Sequence, residues 1–218
     1  VQIPLIAYAE LTSNVIPIGA GLLRGKYLGR GPIALLVYVT YSLFNELAML
    51  SLALHGINNL WLLHICTLVE FLFMVLIFAW FTEFRFSKKA GVWIAAGYAI
   101  VWALSKFTIE SFDAFDNYTS PVANFILVLI ALKALHQCSQ SVDGEVWRRP
   151  FFWFSLAVLI KFAGDFSLFL FGDWFVGLNL SEGISVWSIH WTLNILSNIG
   201  FGLSLLCLPQ TTAPTGSS

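Results

Sequence analysis

Seven stretches of about 20 mostly apolar residues follow one another along this 218-residue chain, each closed by a short polar break. The pattern predicts helices over about 3–23, 32–54, 59–81, 90–109, 119–137, 151–171 and 185–208. The breaks carry turn and charge signals, as in Arg24–Pro32, His55–Asn59, Arg85–Lys89 and Gly172-Asp173. A run of this length matches the hydrocarbon thickness of a bilayer when wound as a helix. In lipid every backbone polar group must be bonded inside its own segment, so a helix is the economical structure for each run. Composition closes the soluble alternative. Only 11% of residues are charged and 58% are hydrophobic, whereas a soluble domain carries roughly a quarter charged residues. The expected fold class is therefore all-α, a polytopic seven-transmembrane-helix bundle. It would form one domain over 1–210, followed by a short disordered cytoplasmic tail over 211–218.

Direction follows from the basic residues, which stay on the cytoplasmic side of short loops. Arg24, Lys26 and Arg30 fall in the first loop, Arg85, Lys88 and Lys89 in the third, and Lys133, Arg148 and Arg149 in or beside the fifth. The second, fourth and sixth loops hold no Lys or Arg and carry Glu110, Asp113, Asp116, Asp173 and Glu182. This asymmetry places the N-terminus outside and the C-terminus in the cytoplasm, in a multi-pass protein of the cell inner (plasma) membrane. Lys106 dissents, near the outer end of the fourth span, and is expected to snorkel outward. Trp61, Trp174 and Trp187 fall at one expected interface and Trp80, Trp93, Trp147 and Trp153 at the other, as aromatic belts require.

Ionisable residues inside spans are costly, and they mark functional sites or satisfied polar cores. Here they are Glu10, Glu46, His64, Glu70, Lys161, Asp165 and His190, with Asn14, Asn45, Asn194 and Asn198 among them. Counted at about 1.5 Å per residue from the outer helix ends, His64, His190, Asp165, Glu10 and Glu46 share one depth, and Glu70 and Lys161 lie deeper. Phase agrees with convergence: Glu10 and Asn14, Lys161 and Asp165, and His190, Asn194 and Asn198 each follow one helix face. The sequence thus predicts one outward-facing intramembrane pocket. Its ligand-binding residues would be Glu10, Glu46, Glu70, Lys161 and Asn194. His64, His190 and Asp165 are the candidate ligands of a divalent metal such as zinc. The bland alternatives are an intrahelical Lys161–Asp165 pair and an interhelical asparagine seam.

Four uses fit such a pocket. It binds a metal ion or small polar ligand; it is a membrane-embedded metal-dependent hydrolase acting on lipid-like substrates; it is a proton-coupled small-solute transporter; or it is the polar seam of a structural subunit in a larger membrane assembly. The hydrolase reading has a fold-level analogy in the seven-helix zinc hydrolases of the ceramidase and adiponectin-receptor superfamily. Their last core helix carries His-x-x-x-His where this chain has His190-x-x-x-Asn194. The transporter reading draws on Trp61-x-x-His64 and Trp187-x-x-His190, a repeated opening of the third and seventh spans. A retinal protein is disfavoured, because the last span has no lysine for a Schiff base. Net charge is −1, which leaves no basic footprint for nucleic acid. Cys66, Cys138 and Cys207 are scattered and form no metal or disulfide spacing. The expected partners are the lipid bilayer and a small-molecule ligand or a larger membrane assembly.

The stretch Asn59-Leu-Trp-Leu-Leu-His-Ile-Cys-Thr-Leu-Val-Glu-Phe-Leu72 resembles the His-Ile-Tyr-Thr-Leu-Ile-Glu-Phe pattern of small uncharacterised seven-helix bacterial membrane proteins. Ile189-His-Trp-Thr-Leu-Asn-Ile-Leu-Ser-Asn198 is the second stretch similar to them. The resemblance implies a single-domain inner-membrane protein and brings no activity. It directs attention first to His64, Glu70, His190 and Asn194.

Overall fold

The computed structural model describes residues 4–25, 28–81, 87–140, 145–172, 174 and 180–208, with the backbone alone for 180–184. Lys26, Arg85, Asp173, the side chain of Glu182 and the tail 211–218, all used above, lie outside the described residues. Among those residues the chain is all helical. The helices are α1 (Leu5–Ser13), α2 (Val15–Leu23), α3 (Arg30–Leu54), α4 (Leu60–Trp80), α5 (Lys88–Thr108), α6 (Thr119–Ser139), α7 (Pro150–Leu170) and α8 (Leu180–Leu206).

α1 and α2 together make one crossing length, Leu5–Leu23, and with α3 to α7 they give six helical lengths apolar enough to span a membrane. The seventh, α8, is 27 residues long and carries the polar stripe His190, Asn194 and Asn198. Between α1 and α2 the helix is interrupted at Asn14. Pro17 supplies the reason: it has no N–H for the Ser13 carbonyl four residues back, and its ring crowds that carbonyl. α3 stops where Gly56 turns to φ +69, with Gly56 N bonded to the Ala53 carbonyl and Ile57 N to the Leu52 carbonyl. That pair of bonds satisfies the last carbonyls of the helix, and the positive φ suits glycine.

The bundle is patterned inside-out relative to a soluble one. Phe107 is 89% exposed and Trp93 77%, while Glu10, His64, Asp116 and Asp165 are buried. Apolar surface on this scale belongs in lipid. The basic residues Arg24, Lys88, Lys133 and Arg148 gather at one end of the helices, and Arg24 donates to the Leu206 carbonyl across that end. The half of the bundle next to them is an aromatic core. Phe78 and Phe154 ring centroids lie 4.8 Å apart, Phe81 and Phe154 5.1 Å, and Phe154 and Phe201 6.0 Å. Lipid tails are as apolar as these rings, so the contact is held by dispersion and close packing rather than by escape from water.

α7 lies against both α6 and α8, and α8 also lies against α1 and α2. Glycine lets the last helix come close on two sides. A Cβ on Gly200 would stand 2.8 Å from the Ala157 Cβ, and one on Gly202 would stand 2.8 Å from the Ile16 methyl. Ala157 has no torsion that moves its Cβ away, so Gly200→Leu is expected to push α7 and α8 apart and destabilise the protein by about 1–3 kcal/mol. The check is the thermal midpoint in mild detergent, and a midpoint equal to wild type would mean that the contact is not as tight as described.

Candidate functional site

The half of the bundle away from the basic end is not filled. A cavity of about 490 Å3 runs there from Pro4, Leu54 and Asn59 at the helix ends to Glu70, Lys161 and Asn194 near the helix middles. Its wall is mixed, with apolar and aromatic side chains around a few charged ones, as in ligand pockets generally. Of the eight residues expected to meet, the cavity gathers Glu10, Glu46, Glu70, Lys161, Asp165, His190 and Asn194, and leaves out His64. The seven come from five helices, α1, α3, α4, α7 and α8.

Four of these side chains close a ring. Lys161 Nζ donates to Asn194 Oδ1 at 2.9 Å, Asn194 Nδ2 meets His190 Nε2 at 3.0 Å, and His190 Nδ1 meets Asp165 Oδ1 at 2.6 Å. Asp165 Oδ2 returns to Lys161 at 3.9 Å. The ring fixes its own protons. An ammonium only donates, so it takes the Asn194 oxygen. The Asn194 amide then donates to His190 Nε2, and the remaining ring proton sits on Nδ1, facing Asp165. Lys161 also stands 3.3 Å from Glu70 Oε1, which the Tyr38 hydroxyl holds by a short hydrogen bond. The Lys161–Asp165 pair expected from the i, i+4 spacing is therefore one edge of a larger interhelical network.

Glu10 and Glu46 face this ring from α1 and α3. Asn14 Nδ2 donates to Glu46 Oε2 at 2.7 Å and Ser42 Oγ to Oε1 at 3.1 Å. The Glu10 and Glu46 carboxyls lie close to each other. The interruption at Asn14 serves this contact, because it lets the Asn14 side chain reach both the Leu11 carbonyl and Glu46. Below it, Asn198 on α8 donates to Ser13 Oγ at 2.8 Å.

His64 belongs elsewhere, so the expected metal set of His64, His190 and Asp165 is not assembled. His64 is fully buried in a second polar knot. Its Nε2 donates to the Ala114 carbonyl at 3.0 Å, which leaves Nδ1 as the acceptor facing Lys106 Nζ. The same ammonium reaches Glu110 Oε2, Thr119 Oγ1 at 2.9 Å and Asp116 Oδ1 at 3.6 Å. Lys106 was expected to reach outward at the end of its helix. Its side chain instead turns inward and is 2% exposed, because two carboxylates of the 109–118 loop fold over the helix end and receive it. Glu110 and Asp116 read in the sequence as outer-loop surface charges and are buried counter-ions. The only signal of this was Lys106 itself, a lone basic residue at the acidic end.

His64, Glu110 and Asp116 bring ligand-type atoms within 4.8 Å of one another, the one such group among the described residues. The Lys106 ammonium stands among those atoms, so the place of a metal is taken by a tethered cation. Burial raises the Asp116 carboxyl. The neighbouring His64, 3.5 Å from Oδ2, the hydrogen bond from Thr119 and the Lys106 charge outweigh that and hold it at about 2, well below the usual carboxylate range. Asp116 therefore stays ionised at any physiological pH, and Lys106 stays necessary.

The repeated Trp-x-x-His motif, at the start of α4 but two turns into α8, thus leads to two different environments, a closed ion knot for His64 and the cavity for His190. Comparison with protein-family models, with known proteins and with solved structures finds no match for this chain. The site is interpreted from its own chemistry.

Proposed function

We propose that this is a seven-crossing inner-membrane protein, N-terminus outside and C-terminus in the cytoplasm, whose cavity opens outward and binds a small polar ligand within the membrane. One observation carries the reading. The bundle leaves about 490 Å3 open around Glu10, Glu46, Glu70, Lys161, Asp165 and His190, although filling that space with apolar side chains would cost less than burying those groups. A polar core serving only as glue between helices has no need of the volume. The basic end supports an outward opening, since Arg24, Lys88, Lys89 and Arg148 lie opposite the cavity and basic residues favour the cytoplasmic side.

Transport is the second reading, favoured by the interrupted α1–α2 crossing beside Glu10 and Glu46. Discontinuous helices beside polar sites are a device by which carriers expose backbone to a solute and allow movement. The metal-dependent hydrolase has less support, because both ring nitrogens of His190 are engaged by Asp165 and Asn194 and His64 is committed to Lys106.

Cys66 lines the cavity and provides a native reporter. In a Cys138→Ser/Cys207→Ser background, a membrane-impermeant methanethiosulfonate is expected to label Cys66 from the outer face of intact cells. Labelling only after permeabilisation would reverse the proposed orientation. Labelling only after denaturation would mean that the cavity does not communicate with water.

A further inference from the structure

We infer that the cavity is built for a small organic cation, an ammonium group carried on a compact apolar body, with Glu10 and Glu46 as its counter-charge; the inference rests on reading the cavity as a ligand pocket. Two of the four cavity carboxyls already have a cation. Lys161 stands between Glu70 and Asp165, and His190 is tied to Asp165. Glu10 and Glu46 form no ion pair of their own, and the charges of His190 and Lys161 reach them only from beyond ion-pair distance. Among the described residues no Lys, Arg or His lies within ion-pair distance of either carboxyl, and their recorded donors, Asn14, Ser42 and Asn194, are neutral. Glu10 is 6% exposed and lines the cavity, so a cation that pairs with it must enter that space. Glu70 from α4 and Asp165 from α7 face the same space and add to its negative field, and Lys161 and His190 are held by the ring with Asn194, which pairs them with Glu70 and Asp165. Four carboxyls against Lys161 and His190 leave the cavity with more acids than cations and with room for a positive guest. Two adjacent buried carboxyls without a cation are disfavoured by mutual repulsion and by desolvation.

The rest of the wall selects the kind of cation. Tyr8, Trp187 and Trp191 line the cavity toward its mouth, and aromatic faces attract ammonium groups. A hard metal ion requires about six to eight oxygen ligands in a closed shell. Here the two unpaired carboxyls, with Glu70 and Asp165 already paired to Lys161, stand among apolar side chains in a space far larger than an ion. A bare proton would settle the charge of the Glu10–Glu46 pair, yet it would use neither the volume nor the aromatic wall.

The test uses the intact protein in mild detergent, with tetramethylammonium as the probe. Tert-butanol serves as a neutral molecule of similar shape and sodium as an inorganic cation. The readouts are the rate of Cys66 alkylation by N-ethylmaleimide, in the Cys138→Ser/Cys207→Ser background, and the thermal midpoint. Tetramethylammonium is expected to slow alkylation and raise the midpoint at concentrations at least tenfold below those at which tert-butanol or sodium does so. Glu10→Gln and Glu46→Gln should each weaken that protection about tenfold, as loss of one charge contact implies. Their unliganded midpoints should be equal to or above wild type, because a repulsion has been removed, and this separates lost binding from lost folding. Equal protection by tert-butanol overturns the cation and leaves the pocket standing. Equal protection by sodium makes it an inorganic-ion site and overturns the organic ligand. Absence of protection by all three, or protection unchanged in both Glu variants, overturns the inference as well. Failure of Cys66 to react in the native protein removes the pocket itself.

Discussion

Lys106→Met is expected to lower the stability of the folded protein by about 3–5 kcal/mol, the range for removing one partner of a buried ion cluster. Two carboxylates, Glu110 and Asp116, would stay buried beside His64 with their cation gone. Asp116 has no reserve to absorb the loss, since its Oδ2 already lacks a hydrogen-bond partner. Water has little access, because Lys106, Glu110 and Asp116 side chains are all at most 2% exposed. Thermal or denaturant unfolding in mild detergent measures the effect. Adding Glu110→Gln and Asp116→Asn to Lys106→Met should return much of the stability, since neutral side chains of the same shape no longer require a counter-ion. Failure of the triple variant to recover would mean that Lys106 acts through packing rather than charge. The pH dependence has a definite sign. Asp116 is depressed to about 2 in the folded protein, against about 3.9 for a free Asp. Its contribution is therefore fully present above about pH 4 and lost as pH falls toward 2, and the Asp116→Asn variant should show a flatter acid limb over that window.

Lys161→Met should have an effect of similar size, about 3–5 kcal/mol, through the other cluster. It removes the ammonium from between Glu70 and Asp165 and takes the donor from Asn194 Oδ1, so the Asn194 amide loses the partner that sets its orientation. The His190 tautomer is then no longer imposed. The two lysines share no partner, one held by His64, Glu110, Asp116 and Thr119 and the other by Glu70, Asp165 and Asn194. Their effects should therefore add to within about 0.5 kcal/mol in the double variant. A larger deviation would show that the loop knot and the cavity are coupled. That outcome has a structural route: Phe115, in the loop tied down by Asp116 and Glu110, lines the cavity and stacks on Phe169 at 5.1 Å.

The contrast between the two lysines shows where sequence reasoning held and where it stopped. Lys161 sits in mid-helix, one turn before Asp165, so its immersion and its near neighbour were legible from spacing. Lys106 sits in the last turn of α5, where a four-carbon stem reaches either outward to water or inward to the bundle. Which it does depends on Glu110 and Asp116, and those depend on how the 109–118 loop folds back, a matter on which periodicity is silent. His64 and His190 make the same point. Position along the helix axis was counted for both from the expected helix ends, and the last helix begins at Leu180, five residues before the expected start. Rotation about the axis was readable only relative to residues of the same helix. α4 turns His64 toward α5 and the loop, and α8 turns His190 toward α7, so residues expected at equal depth came to separate sites. The Glu10–Glu46 contact was expected from depth, but the interruption at Asn14 that supports it is a consequence of Pro17 whose outcome lies in three dimensions.

What the chain's sequence determines by itself is the set of helices and their order: apolar runs of bilayer length, breaks with turn chemistry, and the assembly of acidic and basic residues at opposite ends. These follow from local physics, because a backbone deprived of water must close its hydrogen bonds within four residues along the chain, and the rise per residue then converts sequence position into depth. What only the tertiary structure decides is the partner of each buried polar group. That choice rests on interhelical rotations set by close contacts such as Gly200 against Ala157 and by the packed rings of Phe78, Phe81 and Phe154. Such contacts join residues far apart in the chain, and a shift of less than one helical turn exchanges one ion partner for another.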